Sequence, residues 1–569
     1  LASPSWNVFA KPPLVSNRHK LNTKASGIIA VAVMCSRVLG LIREVLFSAI
    51  FGSRLMGIFI VAFRAPNLLR DLFAEGALST AFITVFSKQI EKSGPNAAWG
   101  LASKMLTLAT IFMSGVTLLG ILCSEPLVGI LAWGFDPKFK ELTVLLTQIM
   151  FPFILLVSLA ALVMGMLNSR DVFGVPAMAS SFFNIGSIIG GLALAWAFEP
   201  KFFTEVLRHL HSHGHDQAGM PPLPFGEKAL VGLSLGTLLG GLLQLVTQLP
   251  SLRKVGFSFR PDFRWNNPGV KQILTLMVPS VIAASAVQIN VLINTSFASS
   301  LGPSAITWLN NAFRLMQLPI GIFGVAVATI TLPVVSRIAA NVDRAAFGPT
   351  LGKALRLAVF LTLPSAVGLY FLAYPIISLI YEHRNFFATD ALNSAFALQF
   401  YAMGLVAYSG IKVLSPAFYA IERKWTPMLV SCGSISLNVF LNWLFIFHLK
   451  YGHRGLALST AISATLNFTA LYFLMMQAAG TLDSRRFLST LFRCAAAAVV
   501  LGVICWASTT WLHGWLFDIP FLLRVVVLVL VIAAAGGGYL LACYLMHVEA
   551  IHDAFNAISR KLRKRQAVV

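Results

Sequence analysis

Charged side chains are scarce in this sequence: they make up 11% of 569 residues, against 57% that are hydrophobic, and the mean hydropathy is +0.79. A soluble domain of this length does not hold that balance, so the chain reads as an all-α polytopic membrane protein. Acids are scarcer still, 21 against 43 Lys and Arg. No cluster of carboxylates and no metal-ligand spacing stands at a membrane surface, which argues against a membrane-bound transferase and for a protein that is not an enzyme. Cys35, Cys123, Cys432, Cys494, Cys505 and Cys543 are scattered with no CxxC pair and read as small apolar residues. Residues Leu1 to Thr23 lack the ordered charged, apolar and cleavage regions of a signal peptide and read as a loose tail.

The net charge of +22 does not gather into a basic domain, which argues against nucleic acid as a partner. The basic residues sit in short loops, where they orient a membrane protein and meet anionic lipid. Apolar runs long enough to cross a bilayer lie near 25–51, 56–88, 98–122, 143–168, 174–197, 229–251, 271–300, 304–338, 352–381, 391–420, 427–448, 454–478, 489–512 and 520–547, about fourteen in all. An even number returns the chain to its starting side. The loops on that side hold most of the Lys and Arg, including Arg253, Lys254, Arg260, Arg264 and Lys271, so both termini are expected in the cytoplasm. The longest outer loop, near 198–228, carries His209, His211, His213 and His215. Without a cysteine or acidic set beside them they read as a solvated loop and not a metal site.

One stretch breaks the scarcity of charge. From Ser36 to Phe82, two successive spans carry Arg37, Arg43, Glu44, Arg64, Arg70, Asp71 and Glu75. An ionisable group at membrane depth costs at least ~2.5–3.5 kcal/mol, so these face a protein interior or a wet cavity. Arginine exceeds acid, and the guanidinium fork matches paired phosphate oxygens, so a diphosphate suits such a cavity better than a cation.

An internal repeat places this stretch in a larger plan. Shifted by about 250 residues, Phe47–Gly52 falls on Phe297–Gly302, Phe63-Arg64 on Phe313-Arg314, and Leu72-Phe73 on Ile322-Phe323. Six spans separate the halves, so they share one orientation: two six-helix lobes in a parallel repeat, followed by two C-terminal helices. The expected division is 1–24 tail, 25–252 N-lobe, 253–480 C-lobe, 481–548 last helix pair and 549–569 basic tail. The lobes differ chemically. Arg37, Arg43 and Arg70 correspond to Val287, Ile293 and Ile320, and only Arg314 repeats an arginine, with Gln288, Asn290, Asn294, Asn310, Asn311 and Gln317 around it.

Four blocks, Ser36–Arg43, Pro66–Arg70, Phe73–Ala77 and Phe313–Pro319, resemble the MurJ/MviN family of lipid II flippases in the multidrug/oligosaccharidyl-lipid/polysaccharide exporter superfamily. The resemblance runs from about Lys24 to the end of the last span. It implies two lobes in a V around a cationic cavity. Alternating access would carry undecaprenyl-diphosphate-linked disaccharide-pentapeptide, lipid II, from the cytoplasmic to the outer leaflet of a bacterial inner membrane. It places the cavity arginines at Arg37, Arg43, Arg70 and Arg314, and an acid at Glu44. Arg64, Asn67, Glu75 and Gln317, in or beside the same blocks, complete the candidate substrate-binding set. The last two helices would form a groove for the polyprenyl tail. The expected state is a monomer among membrane lipids, with the cell-wall synthesis machinery as a candidate partner and no cofactor.

Three departures from the family pattern matter. Gly57 stands where an acid is common, Phe313 replaces an Asp beside Arg314, and Asn294 and Asn442 stand where sodium-binding relatives place acids. The two asparagines weaken the case for sodium and leave membrane potential or a monovalent cation such as the proton as the drive. The alternative reading is a polysaccharide or multidrug exporter of the same superfamily.

Overall fold

The computed structural model describes residues 23–212, 226–340 and 345–552, and among these it is helical with no strand. The first lobe holds α1 (Thr23–Arg70), α2 (Ser79–Leu122), α3 (Pro137–Met150), α4 (Phe153–Asn168), α5 (Gly174–Phe198) and α6 (Glu227–Val246). The second holds α7 (Pro268–Ser299), α8 (Pro303–Pro319), α9 (Val325–Ala340), α10 (Phe347–Phe371), α11 (Ala388–Met403), α12 (Leu405–Ala420), α13 (Trp425–Trp443) and α14 (Gly452–Ala479). Then come α15 (Ser484–Trp511) and α16 (Phe521–Leu545). Among the described residues, eleven helices are long and apolar enough to cross a membrane, or twelve if α11 and α12, bent by 46°, make one span. The expected fourteen exceeds that count. Two of the eleven, however, are too long for one crossing: α1 has 48 residues and α2 has 44, or about 70 and 66 Å.

Each of these long helices is broken by a glycine in the left-handed region, Gly52 (φ 68°) and Gly94 (φ 79°). At Gly52 space is short as well: an added Cβ would lie 2.8 Å from the Asn385 carbonyl oxygen. Asn385 stitches the turn from the other lobe, donating its amide N–H to the Ala49 carbonyl at 3.0 Å and its side-chain N–H to the Ile50 carbonyl at 2.6 Å.

The repeat is visible in the backbone. Gly302 (φ 92°) opens α8 as Gly52 opens the second part of α1. Past Arg70 and past Arg314 the chain widens into a π-helical stretch, Asp71–Leu78 in the first lobe and Ile320–Gly324 in the second. These overlap under the same shift, and π turns of this kind recur at functional sites.

The lobes meet at the end that carries Gly52 and Gly302. Ser53 Oγ bonds Ser304 Oγ at 3.0 Å, and Thr307 Oγ1 donates to the Ser53 carbonyl at 2.7 Å. Gly57 lies directly under the Pro303 carbonyl, with no room for a Cβ. A short helix, Ser124–Leu131, ends here too: the Ile130 carbonyl accepts from Ser296 Oγ at 2.7 Å, and the Gly134 N–H bonds Ser299 Oγ at 3.3 Å. One apolar core, with Phe51, Ile58, Ile306 and Tyr381, runs through both lobes at this end. At the opposite end contact is narrower. The start of α7 leans on α2, where Val270 and Ile273 pack with Leu101 and Met105.

The last helix pair joins the second lobe through α10, sharing a core in which Cys494, Leu501 and Tyr539 face Leu351, Leu355 and Val359. Ala497 is fully buried in it, whereas Gly536 and Gly537 face open space. Any groove therefore lies on the Gly537 side. Part of the expected outer loop folds as the helix Pro200–Ser212, while His213 and His215 lie outside the described residues.

Candidate substrate cavity between the lobes

Between the closed end and the α7–α2 contact, the charged residues of α1 face the second lobe. Glu44 is the pivot. Its side chain is only 8% exposed; Oε1 accepts from Asn310 Nδ2 at 2.7 Å, and Oε2 pairs with Arg314 Nε. An unpaired buried carboxylate would be strongly destabilising, so the two lobes hold one another's charge. The sequence leaves Arg314 without an adjacent acid because Phe313 fills that place. The structure corrects that reading: Glu44 supplies the acid from the other lobe. Phe313 instead packs edge-on to Tyr401, ring centroids 5.4 Å apart.

Arg43 follows round α1 and rests its guanidinium 5.0 Å above the Phe183 ring, with Glu44, Arg314 and Arg70 in electrostatic reach. A guanidinium held by a ring face keeps its N–H edges available. Arg64 is close to Tyr401, Asp71 and Arg314, and its buried Nε has no hydrogen-bond partner among the described residues. Arg70 pairs with Asp71 at 2.8 Å, and Asp71 Oδ2 in turn accepts from Gln288 Nε2 of α7 at 3.2 Å. Arg37 is exposed and reaches Gly321 in the π stretch of the second lobe; an added Cβ there would lie 3.3 Å from Nη1. Asn67 is half-buried and Gln317 exposed. The Glu75 side chain lies outside the described residues.

Four arginines, Arg43, Arg64, Arg70 and Arg314, thus gather about Glu44 and Asp71, while Arg37 stands against Gly321. The positive excess lies on α1, and the facing side of the second lobe carries the amides of Gln288 and Asn310. Both are visible in the sequence as neighbours of Arg314. Tyr401, packed on Phe313 within electrostatic reach of Arg64, is not, because a tyrosine inside an apolar run has the same sequence signature as a core aromatic.

Asn442 and Asn294 do come together, the Asn442 amide donating to Asn294 Oδ1 at 2.8 Å. Asn438 Oδ1 accepts from Asn442 at 3.3 Å, and Ser459 Oγ donates to Asn442 Oδ1. The four side chains satisfy one another with neutral groups.

Comparison with known proteins identifies the family. The family model described as "Lipid II flippase MurJ" matches residues 47–527. The lipid II flippase MurJ of Burkholderia cenocepacia is 34% identical over 484 residues, covering 84% of this chain and 88% of that one. A MurJ relative from Buchnera aphidicola is 34% identical over 446 residues, 78% of this chain and 81% of that one. Among solved structures, a lipid II flippase MurJ in an inward closed conformation superposes with a TM-score of 0.68 at 26% identity, covering 89% of this chain and 97% of that one. A multidrug transporter of the MATE family, inward-facing, superposes with a TM-score of 0.63 at 14% identity over 81% of this chain and 99% of that one, a likeness of fold alone. With a family model spanning most of its length and relatives above 30% identity across most of both chains, this chain belongs to the MurJ family of lipid II flippases.

Proposed function

We propose that the protein moves lipid II from the cytoplasmic to the outer leaflet of a bacterial inner membrane by alternating access of its two lobes. The observation that carries this reading is the excess of arginine at membrane depth on one lobe, facing an amide-rich wall on the other. Arg37, Arg43, Arg70 and Arg314 take the diphosphate, with Arg64, Asn67, Glu75 and Gln317 around it. Glu44 competes with the substrate for Arg314. When a diphosphate takes over that arginine, the bridge between lobes is released, which links substrate binding to the motion.

In this reading the chain crosses the membrane fourteen times, with α1, the π stretch Asp71–Leu78 and α2 together making three crossings that turn at Gly52 and Gly94. Both termini are cytoplasmic. The end closed by Gly57 and Pro303 then faces outward, and substrate reaches the cavity from the cytoplasmic side. The prenyl tail lies along α15 and α16 on the Gly537 face. The asparagine network supplies no neutralising charge where a cation site would need one, so membrane potential and not sodium drives the cycle. The protein acts as a monomer, without a cofactor or covalent chemistry, beside the cell-wall synthesis machinery.

The exporter alternative is weaker on the same observation: a cavity for cationic drugs needs unpaired acids, and this one has spare arginines. The test is reconstitution. Proteoliposomes holding the purified chain and lipid II on one face should expose lipid II on the other, and more so with an imposed potential. Transport of a cationic dye with no movement of lipid II would favour the exporter.

A further inference from the structure

A second cationic site lies outside the cavity, at the cytoplasmic end of the second lobe on the orientation proposed above. Arg356, in the third turn of α10, has a side chain only 6% exposed. Its Nη2 reaches Glu549 Oε2 at 3.2 Å, while Nε and Nη1 are buried with no hydrogen-bond partner among the described residues. The slot around it is built by close backbone approach. Gly348 and Gly352, one turn apart on α10, leave no room for a Cβ beneath the Thr481 and Leu482 carbonyls. This brings the loop before α15 down over Arg356, whose Nη1 lies 3.6 Å from the Cβ position of Gly352. The third wall is the chain after α16. It turns at His547 (φ 54°), anchors through buried Val548 and Ile551, and is tied to α15 by Arg493 Nη1 donating to the His547 carbonyl at 3.0 Å.

We infer that this slot binds the phosphate of an anionic membrane phospholipid, and that Glu549 occupies the place of that phosphate here. A guanidinium presents its donors as a planar fork that fits two oxygens of one anion, and Glu549 meets only one nitrogen. Glu549 is 46% exposed, so the pair is a weak stopper that an incoming anion can displace. The rim is basic: Arg485, Arg486 and Arg493 are all exposed. Basic pockets between helices on the cytoplasmic face are where anionic headgroups bind. Next to the slot the surface turns apolar, with Leu488 and Phe492 on α15 and Leu541 and Leu545 on α16 exposed, as acyl chains attached to that phosphate require. Free phosphate has the same headgroup chemistry but makes no use of that strip.

The test uses the purified full chain in zwitterionic detergent and reads the shift in thermal unfolding on adding phosphatidylglycerol, phosphatidylcholine or inorganic phosphate. Phosphatidylglycerol alone should stabilise. Arg356→Gln should abolish that shift. Glu549→Gln removes the stopper without touching the fork and should tighten phosphatidylglycerol binding by about two- to fivefold. Equal shifts from phosphatidylcholine, an equal shift from inorganic phosphate, or no gain in Glu549→Gln would each overturn the proposal. Since lipid II is absent from the measurement, its outcome is independent of the transport reading.

Discussion

The second helix of each lobe has the same backbone and opposite chemistry. Both open at a glycine of positive φ, both carry an arginine at the same repeat position, Arg64 and Arg314, and both widen into a π stretch beyond it. In the first lobe, though, Arg37, Arg43 and Arg70 stand where the second has Val287, Ile293 and Ile320. In the proposed cycle the shared geometry would serve motion, which needs two halves that pivot alike, and the asymmetric charge would serve binding, which needs an anion held without an equal number of carboxylates to compete. Where the two helices meet they are complementary: Gly57 gives up its side chain to the Pro303 carbonyl, and its repeat mate Thr307 uses its hydroxyl to bond the Ser53 carbonyl.

The largest effect is expected from breaking that complementarity. Gly57→Val puts a branched carbon into the Pro303 backbone, which cannot yield, so the lobes must part at the closed end. Translocation should be lost. A cysteine placed at Ser53 in a cysteine-free background should change from protected to readily labelled by an impermeant maleimide. Protection unchanged in Gly57→Val would mean that the lobes do not close there.

A smaller effect separates the two turn glycines. Gly302→Ala meets open space and should lower stability only by the positive-φ backbone strain, about 1–3 kcal/mol. Gly52→Ala carries the same strain plus the clash with the Asn385 carbonyl, so its unfolding temperature in detergent should fall further. Equal shifts would show that Asn385 does not stitch the lobes.

The smallest effect concerns drive. The wild-type chain should translocate with weak sodium dependence, and Asn442→Asp should introduce a saturable one by adding a charge among Asn294, Asn438 and Ser459. Strong sodium dependence in the wild type, measured at fixed potential in proteoliposomes, would contradict the neutral-network account.

Much of the comparison is legible in the sequence. Arginines inside apolar runs stand out because their cost at membrane depth is large, and the repeat is carried by short Phe, Gly and Arg coincidences that survive a single shift. Partners across the lobes are not legible. Nothing local links Glu44 to Arg314, 270 positions on, so the loss of an acid at Phe313 looked like the loss of a partner. Gly57 looked like a missing carboxylate; what it provides is space, which only the packed lobes reveal. The π stretches are hidden because one extra residue per turn barely disturbs a run that is apolar on every side. Ala497 and Gly537 look alike as members of small-residue tracts, yet one is core and the other faces open space.

In the proposed function the diphosphate is held mainly by the arginines of the first lobe, with Arg314 alone contributed by the second. The most direct measurement is equilibrium binding of a short-chain lipid II analogue to purified wild type, Arg43→Ala, Arg70→Ala, Ile293→Ala and Ile320→Ala. Each lost charge-assisted contact is worth ~1.5–3 kcal/mol, so both arginine variants should bind about ten- to a hundredfold more weakly. The two isoleucine variants, once shown to be folded, should bind as the wild type does. Wild-type affinity in both arginine variants, or equal losses on the two lobes, would contradict the account.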